Sequence, residues 1–302
     1  MNNNENNKIN IEAINESALD ILSQGNFYAA QTLFRQNVKD NPCFITYNNL
    51  GVFYAFEGLT KPDNSVRIAT KLGLRYLKKA DTCQKSHLTL SAFGQIWFKA
   101  KDYQGAANYF KQACELKPDY YSMYNCGASY YMYGAYDKAA IWFKKSLNIC
   151  GKADYADVLT SYLFSLLYSN KDEFCAVYQK ILNIADEYIA WEKFTIAYFA
   201  NDLKTAESQI TPMFRQFRIA SQDMAMVFDC LLKLGKGFEA EEYLKQAEEY
   251  FEGLDYNTQP EIRRMKKAFF QDGYRARLIT EYKYNIAHLG QCCYYGCKRH
   301  NN

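Results

Sequence analysis

The chain has 302 residues, 36 of them Lys or Arg and 33 Asp or Glu, for a formal net charge of +3. Half of its residues are apolar and 17% are aromatic, enough for a substantial buried core. The charge falls well short of the basic footprint of a nucleic-acid binder, and no apolar run approaches the ~20 residues needed to span a bilayer.

Residues 1–10 are rich in Asn and lack the apolar segment of a signal peptide, so they read as a disordered lead-in, and a cytoplasmic location follows by default. From residue 11 to 253 one short segment recurs: Gly or Asn, then an aromatic or Leu, then Ala, then a bulky apolar residue. Its alanines are Ala30, Ala106, Ala139, Ala206 and Ala240, at intervals of 33 to 34 residues with one copy skipped and about ten extra residues in the second unit. That period marks a stack of helix pairs in which each pair buries its apolar face only against the next. Small residues such as Gly51, Ala106 and Ala139 fall where two helices must cross closely, and Pro42 and Pro118 end the second helix of their units. In the second unit, residues 61–65 read as a loop and helix N-cap leading into a long second helix to about Asp81.

The segments Gly25, Phe27, Ala30, Phe34, Pro42; Tyr47, Leu50, Gly51, Tyr54; Phe93, Gly94, Trp97, Tyr103, Ala106, Phe110, Ala113, Pro118; and Gly127, Tyr130, Gly134, Tyr136, Ala139, Phe143 resemble the tetratricopeptide repeat family. A unit at 228–247 resembles it too, one at 187–219 lacks the glycine, and one at 152–186 matches by spacing alone. The resemblance implies an all-α, right-handed α-solenoid of about seven tetratricopeptide-type helix pairs, closed by capping helices over 258–288. Those are Gln259 to Gln271, with Pro260 in its first turn, and about Tyr274 to His288.

In this family the first helix of each pair lines a concave face. The register set by Gly51, Gly94 and Gly127 then assigns a partner-binding wall to Asn48, Asn49, Gln95, Tyr121, Tyr124 and Asn125, with Trp191 and Tyr198 from the sixth unit. Asn49 and Asn125 hold equivalent positions, and a carboxamide donates and accepts at once, which suits a peptide main chain. The aromatics would add anchoring area. The basic clamp by which some relatives grip acidic chaperone tails is missing, because Asn15, Leu88 and Ala92 stand at its positions.

Signatures of catalysis or phosphate binding are absent, and no cofactor is implied. Seven cysteines lie singly in helical segments, where a free thiol behaves as a small buried hydrophobe. Cys292, Cys293 and Cys297 cluster in a tail over 289–302 with His300; the tail reads as an unstructured terminus with incidental cysteines. Lys236 to Asp255 carries seven acids and two lysines, whereas Gln259 to Asn302 carries nine basic residues and three acids, so neighbouring segments should pair internally. The function expected is non-enzymatic protein or peptide binding in the groove. The alternatives are a metal-binding or thiol-redox tail built on Cys292, Cys293, Cys297 and His300, and a nucleic-acid-associated scaffold using the basic cap. The partner, the pathway and the oligomeric state stay open, and the Asn-, Lys-, Ile- and Tyr-rich composition suggests a bacterial source.

Overall fold

A computed structural model describes residues 13, 15–57, 65–185, 189–215, 220–253, 258–283, 286 and 288–297. The lead-in over 1–10, the loop over 61–64 and His300 lie outside the described residues. Among those described, every regular element is helical. A first helix across 15–23 (α1) is followed by α2 (Phe27–Asp40), α3 (Phe44–Val52), α4 (Ser65–Cys83), α5 (His87–Lys99), α6 (Tyr103–Leu116) and α7 (Tyr120–Tyr133). Then come α8 (Tyr136–Leu147), α9 (Tyr155–Ser169), α10 (Lys171–Leu182), α11 (Ala190–Phe199), α12 (Leu203–Arg215), α13 (Ser221–Lys233), α14 (Gly237–Glu252), α15 (Gln259–Phe270) and α16 (Asp272–Lys283). Contacts divide the chain into two compact units, 1–133 with 288–302, and 134–287.

Five of the turns between helices share a backbone conformation. Gly25, Lys101, Gly134, Asn201 and Gly235 all adopt positive φ, between 61° and 87°. After α5 and α11 the next main-chain N–H reaches back to close the helix, Asp102 to the Trp97 carbonyl and Asp202 to the Ala197 carbonyl, at 3.0 and 2.9 Å. The residue after the turn then caps the second helix: Asn26, Asp102 and Asp202 accept from Ala29, Gly105 and Thr205 N–H groups at 3.1, 2.9 and 3.3 Å. Asn201 explains the glycine missing from the sixth unit, since Asn tolerates the left-handed region better than most residues.

In the first unit α3 packs on α4, α5 on α6, and α6 on α7. The recurrent small residues sit at these crossings. A Cβ on Gly51 would lie 2.8 Å from Leu77 Cγ and 2.9 Å from its main-chain nitrogen, and one on Gly94 would lie 2.8 Å from the Phe110 ring. Leu77, Ala106 and Phe110 are fully buried beside them. At the end of α3 the helix widens into a π-turn over Phe53–Glu57, against which Gly73 of α4 packs so closely that a Cβ there would stand 2.8 Å from Ala55 N.

In the second unit α8 packs on α9, α11 on α12, and α15 and α16 both cover α13. The last helix ends at Lys283, short of the expected His288, and His288 belongs to the first unit. The basic cap is internally paired: Lys266 reaches Glu248 at 2.9 Å and Arg264 reaches Glu261 at 2.9 Å. Arg275, from the same basic stretch, is buried. It donates to the Ala268 and Phe269 carbonyls at 3.1 and 3.2 Å and pairs with Asp272 and Asp229.

Of the scattered cysteines, Cys114, Cys126 and Cys230 are buried as expected of small apolar groups. Cys43 and Cys150 are half-buried, and Cys83 and Cys175 stand exposed on outer helix faces, correcting the uniform expectation. Gly51→Ala forces a methyl group into the backbone of α4, which does not yield as a flexible side chain would. It should lower unfolding free energy by ~1–3 kcal/mol in a urea titration, with Gly151→Ala, whose Cβ meets nothing, as the neutral reference.

Candidate functional site

The inner wall of the first unit is built from α3, α5 and α7, and the chain's own C-terminal segment lies along it. Residues 288–297 contain no helix, and Cys293 and Tyr294 are buried in the same apolar cluster as Phe34, Leu50, Phe53 and Phe93. The expectation of an unstructured tail is thus overturned for these residues. An uncharged stretch from Leu289 to Cys297 with two tyrosines carries enough apolar surface to hold it against the groove.

Side-chain amides on the wall hold the segment by its main chain. Asn49 Oδ1 accepts from Tyr295 N–H at 2.8 Å while its Nδ2 donates to the Tyr295 carbonyl at 3.1 Å. Asn125 treats Leu289 identically, accepting at 2.8 Å and donating at 3.1 Å. Between them Asn48 Nδ2 donates to the Cys293 carbonyl and Gln95 Nε2 to the Gln291 carbonyl, both at 2.9 Å. The held residues are Leu289, Gln291, Cys293 and Tyr295, every second one, which is the repeat at which an extended chain presents equivalent groups to one side. In the third unit the position equivalent to Asn49 is Ala92, and the amide comes one helical turn later, from Gln95.

The amides are themselves fixed. Asn48 Oδ1 accepts from Thr89 Oγ1 at 2.9 Å, and its Nδ2 also reaches Asn49 Oδ1 at 3.2 Å. Asn48, Asn49 and Asn125 have no exposed surface with the segment in place, so each hydrogen bond to it satisfies a group that would otherwise be desolvated without a partner.

Side chains of the segment are read as well. The Tyr294 ring stacks on Phe34 at 6.0 Å, and Tyr295 meets Phe44 edge-on at 5.9 Å. The Gln291 carboxamide accepts from Ser122 Oγ and donates to Asp119 Oδ1, each at 3.3 Å. His288 packs on the Phe98 ring at 5.0 Å. Phe34, Phe44, Asp119 and Ser122 were not among the site residues expected from sequence; Asp119 was recognisable only as the cap of α7, where it accepts from Ser122 N–H at 2.9 Å.

The remaining candidate residues lie elsewhere. Tyr121 lies against the neighbouring Tyr120 ring, centroids 4.0 Å apart and planes tilted by 33°, and Tyr124 is buried. In the second unit Trp191 donates to Asp223 at 2.9 Å and Tyr198 to Asp229 at 2.6 Å, tying α11 to α13; neither is among the residues that hold the segment. The tail thiols divide. Cys293 Sγ is buried and receives a hydrogen bond from Gln95 Nε2 at 3.2 Å, whereas the thiols of Cys292 and Cys297 lie beside each other. Burial pushes the Cys292 thiol up to about 12 and raises that of Cys293. Among the described residues no three His, Cys, Asp or Glu side chains are grouped to hold a metal ion.

Beside the segment an open cavity of about 740 Å³ runs between it and the first helix, lined by Leu19, Asp20, Val52, Phe56, Cys292 and Cys297 among others. His288 stands at its edge. Burial, and then the Lys99 ammonium, hold its imidazole below the ordinary value of 6.5. The docked segment therefore carries a neutral His288, and protonation favours its release. Docking should be undiminished above pH ~6.5 and weaken as pH falls below it, read as loss of hydrogen-exchange protection at the Leu289 and Tyr295 amides, and His288→Phe should flatten that dependence.

Among solved structures the chain is similar to a tetratricopeptide repeat protein from Parabacteroides merdae, at 15% identity and a TM-score of 0.58 over 85% of this chain and 98% of that one. PilF of Pseudomonas aeruginosa aligns at 14% identity and a TM-score of 0.52, over 85% and 96%. Neither a protein-family model nor a curated protein matches the sequence. Among the described residues no helix is long and apolar enough to cross a membrane.

Proposed function

Starting from the tetratricopeptide-repeat fold that these structures share with the chain, we propose that it is a non-enzymatic scaffold that captures an extended protein segment on the inner wall of its first unit. The observation that carries this is the doubled carboxamide pairing, Asn49 with Tyr295 and Asn125 with Leu289, at equivalent positions two repeats apart. Main-chain pairing of this kind is indifferent to side chains and so fits segments other than the one it now holds. The chain's own residues 288–297 act as an internal ligand, and a partner's segment takes the same rungs by exchange.

The partner fitting these contacts is uncharged and extended, with an aromatic residue where Tyr294 meets Phe34 and an amide where Gln291 meets Ser122 and Asp119. A cytoplasmic setting belongs to the same proposal, supported by ten cysteines that all stand as free thiols. The paired cap makes nucleic acid the weaker partner class, since Arg264, Lys266 and Arg275 already meet carboxylates.

The test is direct. A labelled peptide of residues 288–297 should bind a chain ending at Ala287, and Asn49→Ala with Asn125→Ala should weaken that binding roughly a hundredfold or more, from ~1 kcal/mol for each of four lost hydrogen bonds less some compensation by water. Equal binding by the double variant would remove the main-chain rungs from the account. Absence of peptide binding at any accessible concentration would make the segment a permanent part of the fold.

A further inference from the structure

Cys292 and Cys297 are the two groups in the segment that neither the main-chain rungs nor the aromatic contacts use. They are brought together by a turn at Tyr295 and Gly296, the latter with φ of 75°, a backbone conformation that a glycine adopts without strain. Their thiols lie beside each other, both are half-buried, and both line the open cavity, which admits a small reagent. Cys293 also borders the cavity, but it is almost fully covered and its sulfur is held by Gln95 on the groove side.

We propose that Cys292 and Cys297 form an intrachain disulfide that locks residues 288–297 in the groove, making capture of a partner segment dependent on thiol oxidation. The co-reactant is a low-molecular-weight disulfide. One of the two thiols, as thiolate, attacks it and expels one reagent thiol; the other then attacks the mixed disulfide and expels the second. One S–S bond forms in the protein, one breaks in the reagent, and two electrons and two protons pass to the reagent as two thiols.

Closure of this six-residue ring restricts the free segment to conformations near the turn it already adopts in the groove, so that docking forfeits less chain entropy. The locking role rests on the exchange proposed above, whereas the crosslink does not. Partial burial slows thiolate formation at Cys292, which suits a bond that forms under sustained oxidation and persists rather than a fast sensor.

The full-length chain is treated with oxidised glutathione, and three quantities are followed: intact mass, crosslinked peptides after digestion, and hydrogen exchange at the Leu289 and Tyr295 amides. The expected result is loss of two hydrogens, a crosslink mapped to Cys292 and Cys297, and amide exchange slowed at least about tenfold, all reversed by dithiothreitol and all absent in Cys292→Ser and in Cys297→Ser. Uptake of the labelled 288–297 peptide should fall in parallel. A crosslink that uses Cys293, or none at all, overturns the proposal; so does a mapped crosslink that leaves amide exchange unchanged or hastens it. If amide exchange slows on crosslinking but the reduced chain never takes up peptide, the lock stands and the capture function fails.

Discussion

A carboxamide on the inner face of a helix stack has to be hydrogen-bonded once an extended chain covers it, and that constraint organises the first unit. Asn48, Asn49, Gln95 and Asn125 are covered by the C-terminal segment, and each is matched to a main-chain group of it. The segment meets the wall helices in order, α7 at Leu289, α5 at Gln291 and α3 at both Cys293 and Tyr295, as an extended chain with alternate residues turned to one side allows.

The same constraint makes the arrangement exchangeable in principle. In an open groove water satisfies the amides, so the net gain from each rung is modest, of order 1 kcal/mol, and the apolar contacts of Tyr294 and Tyr295 supply much of the holding force. Those contacts, with Phe34 and Phe44, sit at one end of the segment. His288 against Phe98 sits at the other. The segment is thus anchored at both ends and read by its main chain between, with the Cys292 and Cys297 thiols at the turn nearest the aromatic anchor.

Much of this was legible from residues alone. The spacing of Ala106, Ala139, Ala206 and Ala240 marked the stacked pairs, and the equivalence of Asn49 and Asn125 marked the wall, because period and residue chemistry are local properties of the chain. Where a unit departs from the pattern the local physics still ruled: Asn201 takes the left-handed turn that glycine occupies elsewhere. Trp191 and Tyr198 show the limit of the method. An amphipathic ring at a wall position serves a ligand or a neighbouring helix equally well, and here Asp223 and Asp229 on α13 of the next pair receive their polar hydrogens.

What occupies the groove was decided only in three dimensions. The residues that meet there, Asn49 and Tyr295, are 246 positions apart, and no periodicity links a tail without secondary structure to helices near the start of the chain. The sequence by itself determined the helix pairs, their close crossings and the amide wall, since each depends on residues within one or two repeats. Only the tertiary structure decided that the wall is filled by the chain's own end, because that depends on a long-range match of main-chain spacing and apolar surface.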